Sequence, residues 1–301
     1  MQKEYLKHKF IITGSTGWIG KCLLDKLYSV FGDDLNNNVV ALSNSSSQFT
    51  LQNGYKVYLK GYDHDFEDCD NYILCHFAFL TMDKVKNMTN EQYISQNGEI
   101  QDKISKIIRR TRPKSIIYSS SGAVYKKDNL YGQMKIDDEN YFQEIAKEVG
   151  CSMVIPRIFN IGGPYINKHN LYAISDFIVQ LIKGGEVVIN APHRVIRSYV
   201  HINDILDICL SWALDRDNQG KSIIFDTKNK KDVDLLELAN QIIKVTNIRG
   251  SVTISENYPL EGKEDKYTGS SDLINEVCKQ YSISLKGYEE IIKDTYKYLK
   301  N

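Results

Sequence analysis

Apolar positions cluster at 10–12, where Phe10, Ile11 and Ile12 form a short continuous run, and glycines follow at 14, 17 and 20. From Trp18 to Phe31 the spacing changes. Ile19, Leu23, Leu24, Leu27 and Val30 recur at helical intervals, which predicts one amphipathic helix. The same alternation continues through the first half of the chain. Further strands are predicted at Val39–Leu42, Val57–Lys60, Tyr72–His76, Ser115–Tyr118 and Met153–Ile155, with helices at Asn90–Thr111 and Tyr131–Val149. Short, nearly all-apolar strands separated by helices predict a parallel sheet covered on both faces, with right-handed crossovers.

The second half is less regular. Helices are predicted at Ala173–Lys183, Ile202–Leu214, Leu235–Val245 and Tyr288–Leu299, and strands at Val187–Asn190 and Ser222–Asp226. Asn36–Asn38 and Ser43–Ser47 read as polar loops flanking the second strand. The expected architecture is α/β: a Rossmann-type doubly wound parallel sheet with a smaller mixed α/β C-terminal substrate lobe. Residues 1–160 with about 198–227 would form the dinucleotide-binding domain. Residues 161–197 with 228–301 would form the lobe, with the ligand between lobe and sheet.

Composition narrows the class of function. Lys+Arg and Asp+Glu both number 38, so no net charge favours nucleic acid or a membrane surface. The local basic run Lys106–Lys114 ends a predicted helix before Pro113, where cations are favoured in any case. The six cysteines form no C-x-x-C pair and no metal spacing, which predicts reduced, packed thiols in a cytoplasmic protein without a signal peptide. The sequons at Asn44 and Asn87 then carry no meaning. No apolar stretch approaches the ~20 residues of a membrane span.

A strand, a glycine turn and a helix in succession predict a dinucleotide site. Glycine lets the turn tighten and the backbone approach a pyrophosphate, and the helix N-terminus favours the anion. The spacing is G-x-x-G-x-x-G. At the end of the second strand Val39–Leu42 runs into Ser43-Asn44-Ser45-Ser46-Ser47, with no Asp or Glu to accept the adenosine ribose hydroxyls and repel a 2′-phosphate. This favours NADP over NAD. The alternative is that Ser43–Ser47 is only a surface loop, and no Arg or Lys sits in it.

The candidate chemistry lies after the fifth strand. Ser115–Tyr118 runs into Ser119-Ser120-Ser121, and Tyr131 and Lys135 follow at helical i,i+4 spacing. An ammonium beside a phenol favours the phenolate, so the tyrosine can exchange a proton nearer neutrality, while a serine hydroxyl bonds the same substrate oxygen. Among 20 tyrosines a Tyr–Lys pair alone would mean little. After serines at a strand end and a glycine turn, it points to alcohol–carbonyl redox chemistry.

These motifs together resemble an extended short-chain dehydrogenase/reductase of the nucleotide-sugar epimerase/dehydratase/reductase branch. Thr13–Gly20 resembles T-G-x-x-G-x-I-G, and Asp70 through Ala78 resembles D-x-V-x-H-L-A-A. Pro156–Pro164 resembles R-x-F-N-x-x-G-P, and Arg197–Asp204 resembles R-x-[FY]-[VL]-[HY]-x-x-D. The resemblance implies catalytic roles for Ser121, Tyr131 and Lys135. It implies cofactor contacts at Gly14, Thr16, Gly17, Trp18, Ile19 and Gly20 in the turn, at Ser43, Asn44 and Asp63 on the adenosine side, and at His76, Ala78 and Asn97. Ser119, Tyr131, Lys135 and Ile158 complete that set. Substrate contacts are implied at Ser121, Ala123, Asn160 and Arg197, the last on the nucleotide diphosphate. Lys263, or Lys266, would stand in for a second arginine that the branch often carries.

The departures from the branch set the expected reaction. The Asp-Glu pair of 4,6-dehydratases is replaced by Gly122-Ala123, and Ala123 also replaces the cysteine of enzymes resembling GDP-fucose synthase. His169 is a candidate second acid, with a solvated loop histidine as the alternative. The stretch from Ser121 to Tyr131 is shorter than usual for the branch. The expectation is an NADP-dependent reductase of a nucleotide-linked 4-keto-6-deoxyhexose, in deoxysugar synthesis for surface polysaccharide such as O-antigen or capsule. The alternatives are a C4-epimerase with resident NAD and a catalytically silent NADP(H)-binding protein. A homodimer is usual for the family, and no metal is expected.

Overall fold

The computed structural model describes residues 2–67, 71–81, 88–126, 128–255 and 264–300. Cys69, Asp70, Asn87 and Lys263 lie outside the described residues. The chain divides into two compact units, Met1–Arg157 with Cys209–Ile224, and Ile158–Ile208 with Phe225–Asn301.

The first unit is built on one sheet. Its strands are β1 (Lys9–Thr13), β2 (Val39–Leu42), β3 (Ser47–Thr50), β4 (Lys56–Lys60), β5 (Tyr72–His76), β6 (Ser115–Tyr118), β7 (Ser120–Ser121), β8 (Ser152–Ile158) and β13 (Ser222–Asp226). The order is β13-β8-β6-β5-β1-β2-β4-β3, with β7 paired to β8. β1 pairs in parallel with β2 and β5, β2 with β4, β5 with β6 and β6 with β8. β3 is antiparallel to β4 and forms the edge. The chain steps from β1 to β2 and β4 on one side, then returns to place β5 on the other side. That reversal at β1 is the topological switch point where such sheets take ligands, beyond the strands' carboxyl ends.

Helices α2 (Trp18–Phe31), α4 (Asn90–Thr111) and α5 (Leu130–Val149) connect these strands. On one face of the sheet Ile104, Ile107 and Ile108 of α4 and Phe142, Ile145, Ala146 and Val149 of α5 bury against Ile11, Leu74, Ile116, Met153 and Ile155. Removing that much apolar surface from water is the main source of stability here. α4 opens with a Thr89–Gln92 capping box, and α5 with the Asn129 side chain accepting the Gly132 N–H.

Two polar stretches expected as loops carry structure. Asn36–Asn38 belongs to a single helical turn, α3 (Leu35–Asn38), after the short α1 (Gln2–Tyr5) and α2. Asn36 Nδ2 donates to the Lys56 carbonyl and Asn38 Nδ2 to the Asp34 carbonyl, so the asparagine side chains replace the apolar contacts a longer helix would have. Ser47, the end of the expected Ser43–Ser47 loop, begins β3. That strand is mostly exposed and polar, and backbone pairing to β4 makes it a strand despite its composition.

The second unit holds three small sheets: β9 (Asn160–Gly162) with β12 (Tyr199–His201), β10 (Glu186–Ile189) with β15 (Ser251–Ile254), and β11 (Arg194–Arg197) between β14 (Val233–Asp234) and β16 (Glu264–Tyr267). Its helices are α6 (Ala173–Gly184), the first part of α7 (Ile202–Leu214), α8 (Leu235–Thr246), α9 (Asp272–Gln280) and α10 (Tyr288–Lys300). The start of α10 is pinned by Asp204, whose carboxylate accepts from Lys286 Nζ at 2.8 Å and from the Lys286 N–H at 2.7 Å.

All five described cysteines are buried, and burial pushes the Cys151 thiol up to about 12. Among the described residues no cluster of His, Cys, Asp or Glu is arranged to hold a metal, and no helix is long and apolar enough to cross a membrane.

Candidate active site

β1 leaves the sheet at Thr13, and the chain turns through Gly14 at φ +67°. A Cβ on Gly14 would lie 2.7 Å from the Ala78 nitrogen, so only glycine lets the turn rest on the chain leaving β5. The Gly17 N–H closes the turn on the Gly14 carbonyl at 2.9 Å. α2 then starts with Gly17 at its N-cap, with no side-chain cap and no acidic residue in its first turn. The helix start therefore carries no side-chain acceptor of its own at the switch point, beside the exposed Thr16. This fits the pyrophosphate of a dinucleotide.

Behind the turn, Thr13 Oγ1 accepts from the N–H groups of Phe77 and Ala78, both at 3.2 Å. Its lone pairs are then used, so its proton goes to His76 Nδ1 at 2.8 Å. His76 is buried against Tyr118 and Phe142. Burial, helped by the Lys135 charge, holds its pKa at about 3, so the ring is neutral with its proton on Nε2. His76 was expected beside the cofactor; its ring lies in the core and reaches the turn through Thr13. Asn97 is placed similarly. Its Oδ1 accepts the Leu80 N–H at 2.8 Å and its Nδ2 donates to the Tyr93 carbonyl at 3.1 Å, bracing the segment that carries Phe79.

At the end of β2 the Ser43 N–H donates to the Lys60 carbonyl, and Ser43 Oγ donates to the Ser45 carbonyl. Asn44, Ser45 and Ser46 are exposed, and Asp63 lies in the turn after β4. Lys21 reaches across from α2 with its Nζ 5.5 Å from the centre of the Phe49 ring on β3. This edge therefore carries a cation that the loop's own sequence lacks. Its only signal in the chain is its place directly after the third glycine.

The remaining groups are gathered by α5. A Cβ on Gly132 would fall 2.1 Å from the Ala123 carbonyl oxygen, so the helix start sits directly on the short 3-10 turn Gly122–Tyr125. Ser121 caps that turn, its Oγ accepting the Ala123 N–H at 3.2 Å, which leaves the serine proton available to another acceptor. Tyr131 and Lys135 follow one helical turn apart, and the Tyr131 ring packs T-shaped with Phe79. Lys135 is buried. Its Nζ donates to the Ser119 carbonyl at 2.9 Å and to Tyr118 Oη at 3.2 Å, and sits 3.9 Å from the centre of the Phe79 ring. Burial lowers its pKa to about 8 against the upward pull of Asp138 and Glu139.

Six residues supporting this group are not among the site residues named from the sequence. Tyr118 Oη donates to Asp138 Oδ2 at 2.9 Å, and Gln101 Nε2 donates to Asp138 Oδ1 at 2.8 Å. Ser120 Oγ donates to Glu139, whose carboxylate takes the Arg157 guanidinium bidentately at 2.6 and 2.9 Å. Asp138 and Glu139 lie three and four residues after Lys135, so their presence on the lysine's helix face was legible. Their burial was not.

In the second unit, Arg197 Nη2 pairs with Asp265 Oδ2 at 2.7 Å, and Nη1 donates to the carbonyls of Ile196 and Asp265. A diphosphate on Arg197 would compete with Asp265 for the guanidinium. Asn160 Nδ2 donates to the Tyr267 carbonyl, Ile158 ends β8, and Lys266 pairs with Asp232 at 3.0 Å. His169 is exposed, with Nε2 on the Ile166 carbonyl.

Residues 10–226 match the NAD dependent epimerase/dehydratase family. The chain belongs to that family. It is 25% identical to UDP-glucuronic acid decarboxylase 5 of Arabidopsis thaliana over 138 residues, 46% of this chain and 39% of that protein. It is 24% identical to UDP-2-acetamido-2,6-beta-L-arabino-hexul-4-ose reductase of Pseudomonas aeruginosa over 164 residues, 54% of this chain and 43% of that protein. These alignments span about two fifths of the relatives' length. Among solved structures, UDP-N-acetylglucosamine 4-epimerase of Methanobrevibacter ruminantium superposes with TM-score 0.71 at 21% identity, covering 97% of this chain and 98% of that one. UDP-glucose 4-epimerase of Thermotoga maritima gives 0.71 at 18%, again covering 97% and 98%. The family's fold therefore runs through nearly the whole chain. Its members bind dinucleotides, and the uncapped start of α2 and the buried lysine beside Tyr131 are the parts of this chain suited to one.

Proposed function

We propose that the chain reduces a nucleotide-linked 4-keto-6-deoxyhexose with NADPH, as a soluble cytoplasmic dimer supplying a deoxysugar for surface polysaccharide. The observation that carries this reading is the buried Lys135 one helical turn from Tyr131, on a helix seated against the Ser121 turn. Bound NADPH supplies the hydride. Tyr131 gives its proton to the oxygen forming at C4. Lys135 stabilises the phenolate left behind and keeps a donor for the cofactor ribose. Ser121, whose oxygen already accepts from Ala123, donates its own proton to the carbonyl oxygen. Arg197 takes the diphosphate once Asp265 yields it. The reductase named among the relatives is compatible with this chemistry. Gly122 and Ala123 offer neither the acid and base of dehydration nor a thiol.

Two features favour NADP: no acid ends β2, and Lys21 lies at the β3 edge. The test is small-molecule mass spectrometry of natively purified protein, followed by assay on nucleotide-linked 4-keto sugars with NADPH and with NADH. Turnover that consumes added NADPH supports the proposal. Tightly held NAD, with sugar interconversion needing no added cofactor, would make the chain a C4-epimerase. Binding of NADP(H) with silence on every nucleotide sugar would make it a sensor.

A further inference from the structure

Lys135 Nζ has three protons to donate, and two are spent inside the protein, on Ser119 and Tyr118. An ammonium can only donate, so Tyr118 Oη accepts from Lys135 and sends its single proton to Asp138 Oδ2. Asp138 receives a second donor from Gln101 on its other oxygen. Both carboxylate oxygens therefore accept, which is the pattern of an ionised group. The result is a directed chain from Lys135 through Tyr118 to Asp138, anchored on α4 by Gln101.

Burial is costly for both ends of this chain. Asp138 is 9% exposed and Lys135 3%, and apolar residues at such positions would serve stability at least as well. Burial raises the Asp138 carboxyl above its usual range, although Lys135, Tyr118 and Gln101 pull it down. Among the described residues the charged and titratable surroundings of the ammonium are few. From its own helix come Tyr131, Asp138 and Glu139, with Asp137 exposed. From β5 comes the neutral His76, from β6 Tyr118, and from α4 the uncharged Gln101. Arg157 of β8 is occupied by Glu139. Among the described residues Asp138 is thus the carboxylate that reaches the ammonium through a shared hydrogen-bond partner.

We propose that Asp138 and Tyr118 are positioning residues for the reaction. Through the Tyr118 hydroxyl, the Asp138 carboxylate fixes the Lys135 ammonium, keeps it charged in the core and leaves its third proton for the site. The proposal depends on the reading above only for Lys135's part in catalysis.

The experiment uses the full chain labelled with 13C at lysine Cε, without cofactor, with the Lys135 resonance assigned by its loss in Lys135→Met. The wild-type resonance is expected to titrate near pH 8. In Asp138→Asn the midpoint falls by about one pH unit or more. In Tyr118→Phe, which keeps the ring, it falls by less, and in the exposed control Asp137→Asn it stays. The alkaline limb of kcat/KM for the reduction moves down with it. A folded Asp138→Asn protein with an unmoved Lys135 midpoint overturns the proposal. Should that variant fail to fold, an unmoved midpoint in Tyr118→Phe does the same. A chain that shows the shift but reduces no sugar keeps the relay and loses the reductase.

Discussion

Gly132 and Ala123 touch backbone to backbone: a single added Cβ on Gly132 would sit 2.1 Å from the Ala123 carbonyl oxygen. This contact sets the distance between the helix carrying Tyr131 and Lys135 and the turn carrying Ser121. Gly132→Ala must push the two apart. The expected outcome is a stability loss of about 1–3 kcal/mol from overpacking and a fall in kcat/KM of roughly 100-fold from misplacement of the reacting groups. Thermal unfolding and steady-state kinetics on the same preparation check both, and unchanged kinetics would mean that the contact does not position the site.

Tyr131→Phe removes one oxygen and leaves the T-shaped ring contact with Phe79 in place. A general acid contributes roughly 100- to 10,000-fold, so kcat should fall within that range while cofactor affinity stays near wild type. Lys135→Met should lower both, because it removes an ammonium bonded to Tyr118 and Ser119. Fluorescence titration with NADPH beside the turnover assay separates the two behaviours. Near-normal turnover in Tyr131→Phe would remove the tyrosine from the mechanism.

His76 makes the fold sensitive to acid. Its pKa is about 3 in the native protein and about 6.5 in the unfolded chain. Between those values the unfolded chain binds a proton that the native state refuses. The contribution is whole above pH 6.5 and is lost as pH falls toward 3, at about 1.4 kcal/mol per unit. His76→Phe costs stability at every pH by orphaning the Thr13 hydroxyl proton, but it flattens the dependence below pH 6.5. Urea unfolding from pH 7 to pH 4 measures the slope, and equal slopes in both proteins would refute the assignment.

Much of the first unit was legible in the chain because its strands are apolar runs and its helices have caps and periodic faces. Val39–Leu42, Tyr72–His76 and Ser115–Tyr118 are found where the pattern puts them. The second unit was harder to read. β9, β11, β12, β14, β15 and β16 are two to four residues long, too short for a period of two to register, and long-range pairing decides them. α9 was missed because only Ile274, Val277 and Cys278 are buried along it. The glycine turn and the Ser–Tyr–Lys spacing were visible because they are local. The bonds of His76 to Thr13, Asn97 to Leu80, Lys135 to Tyr118 and Arg197 to Asp265 were not, because each joins segments distant in the chain.

Glu139 and Arg157 form the other support of the site, and they test how much of it is structural. Glu139 is almost fully buried, with its side chain 3% exposed against 22% for Arg157, and the arginine also donates to Tyr125 Oη at 2.8 Å. Its hydrogen bonds to Glu139 raise the guanidinium pKa, so the arginine stays charged. Arg157→Ala leaves a buried carboxylate without its counter-charge, and the expected loss is about 3–5 kcal/mol. A double variant, Glu139→Leu with Arg157→Met, removes both charges, and its loss should be well below the sum of the single changes. Ser120 would lose its acceptor in that variant, so recovery of stability need not bring recovery of activity. Chemical denaturation of the four proteins of the cycle gives the coupling energy. Additive losses would show that the pair is not coupled and that Arg157 acts through Tyr125 instead.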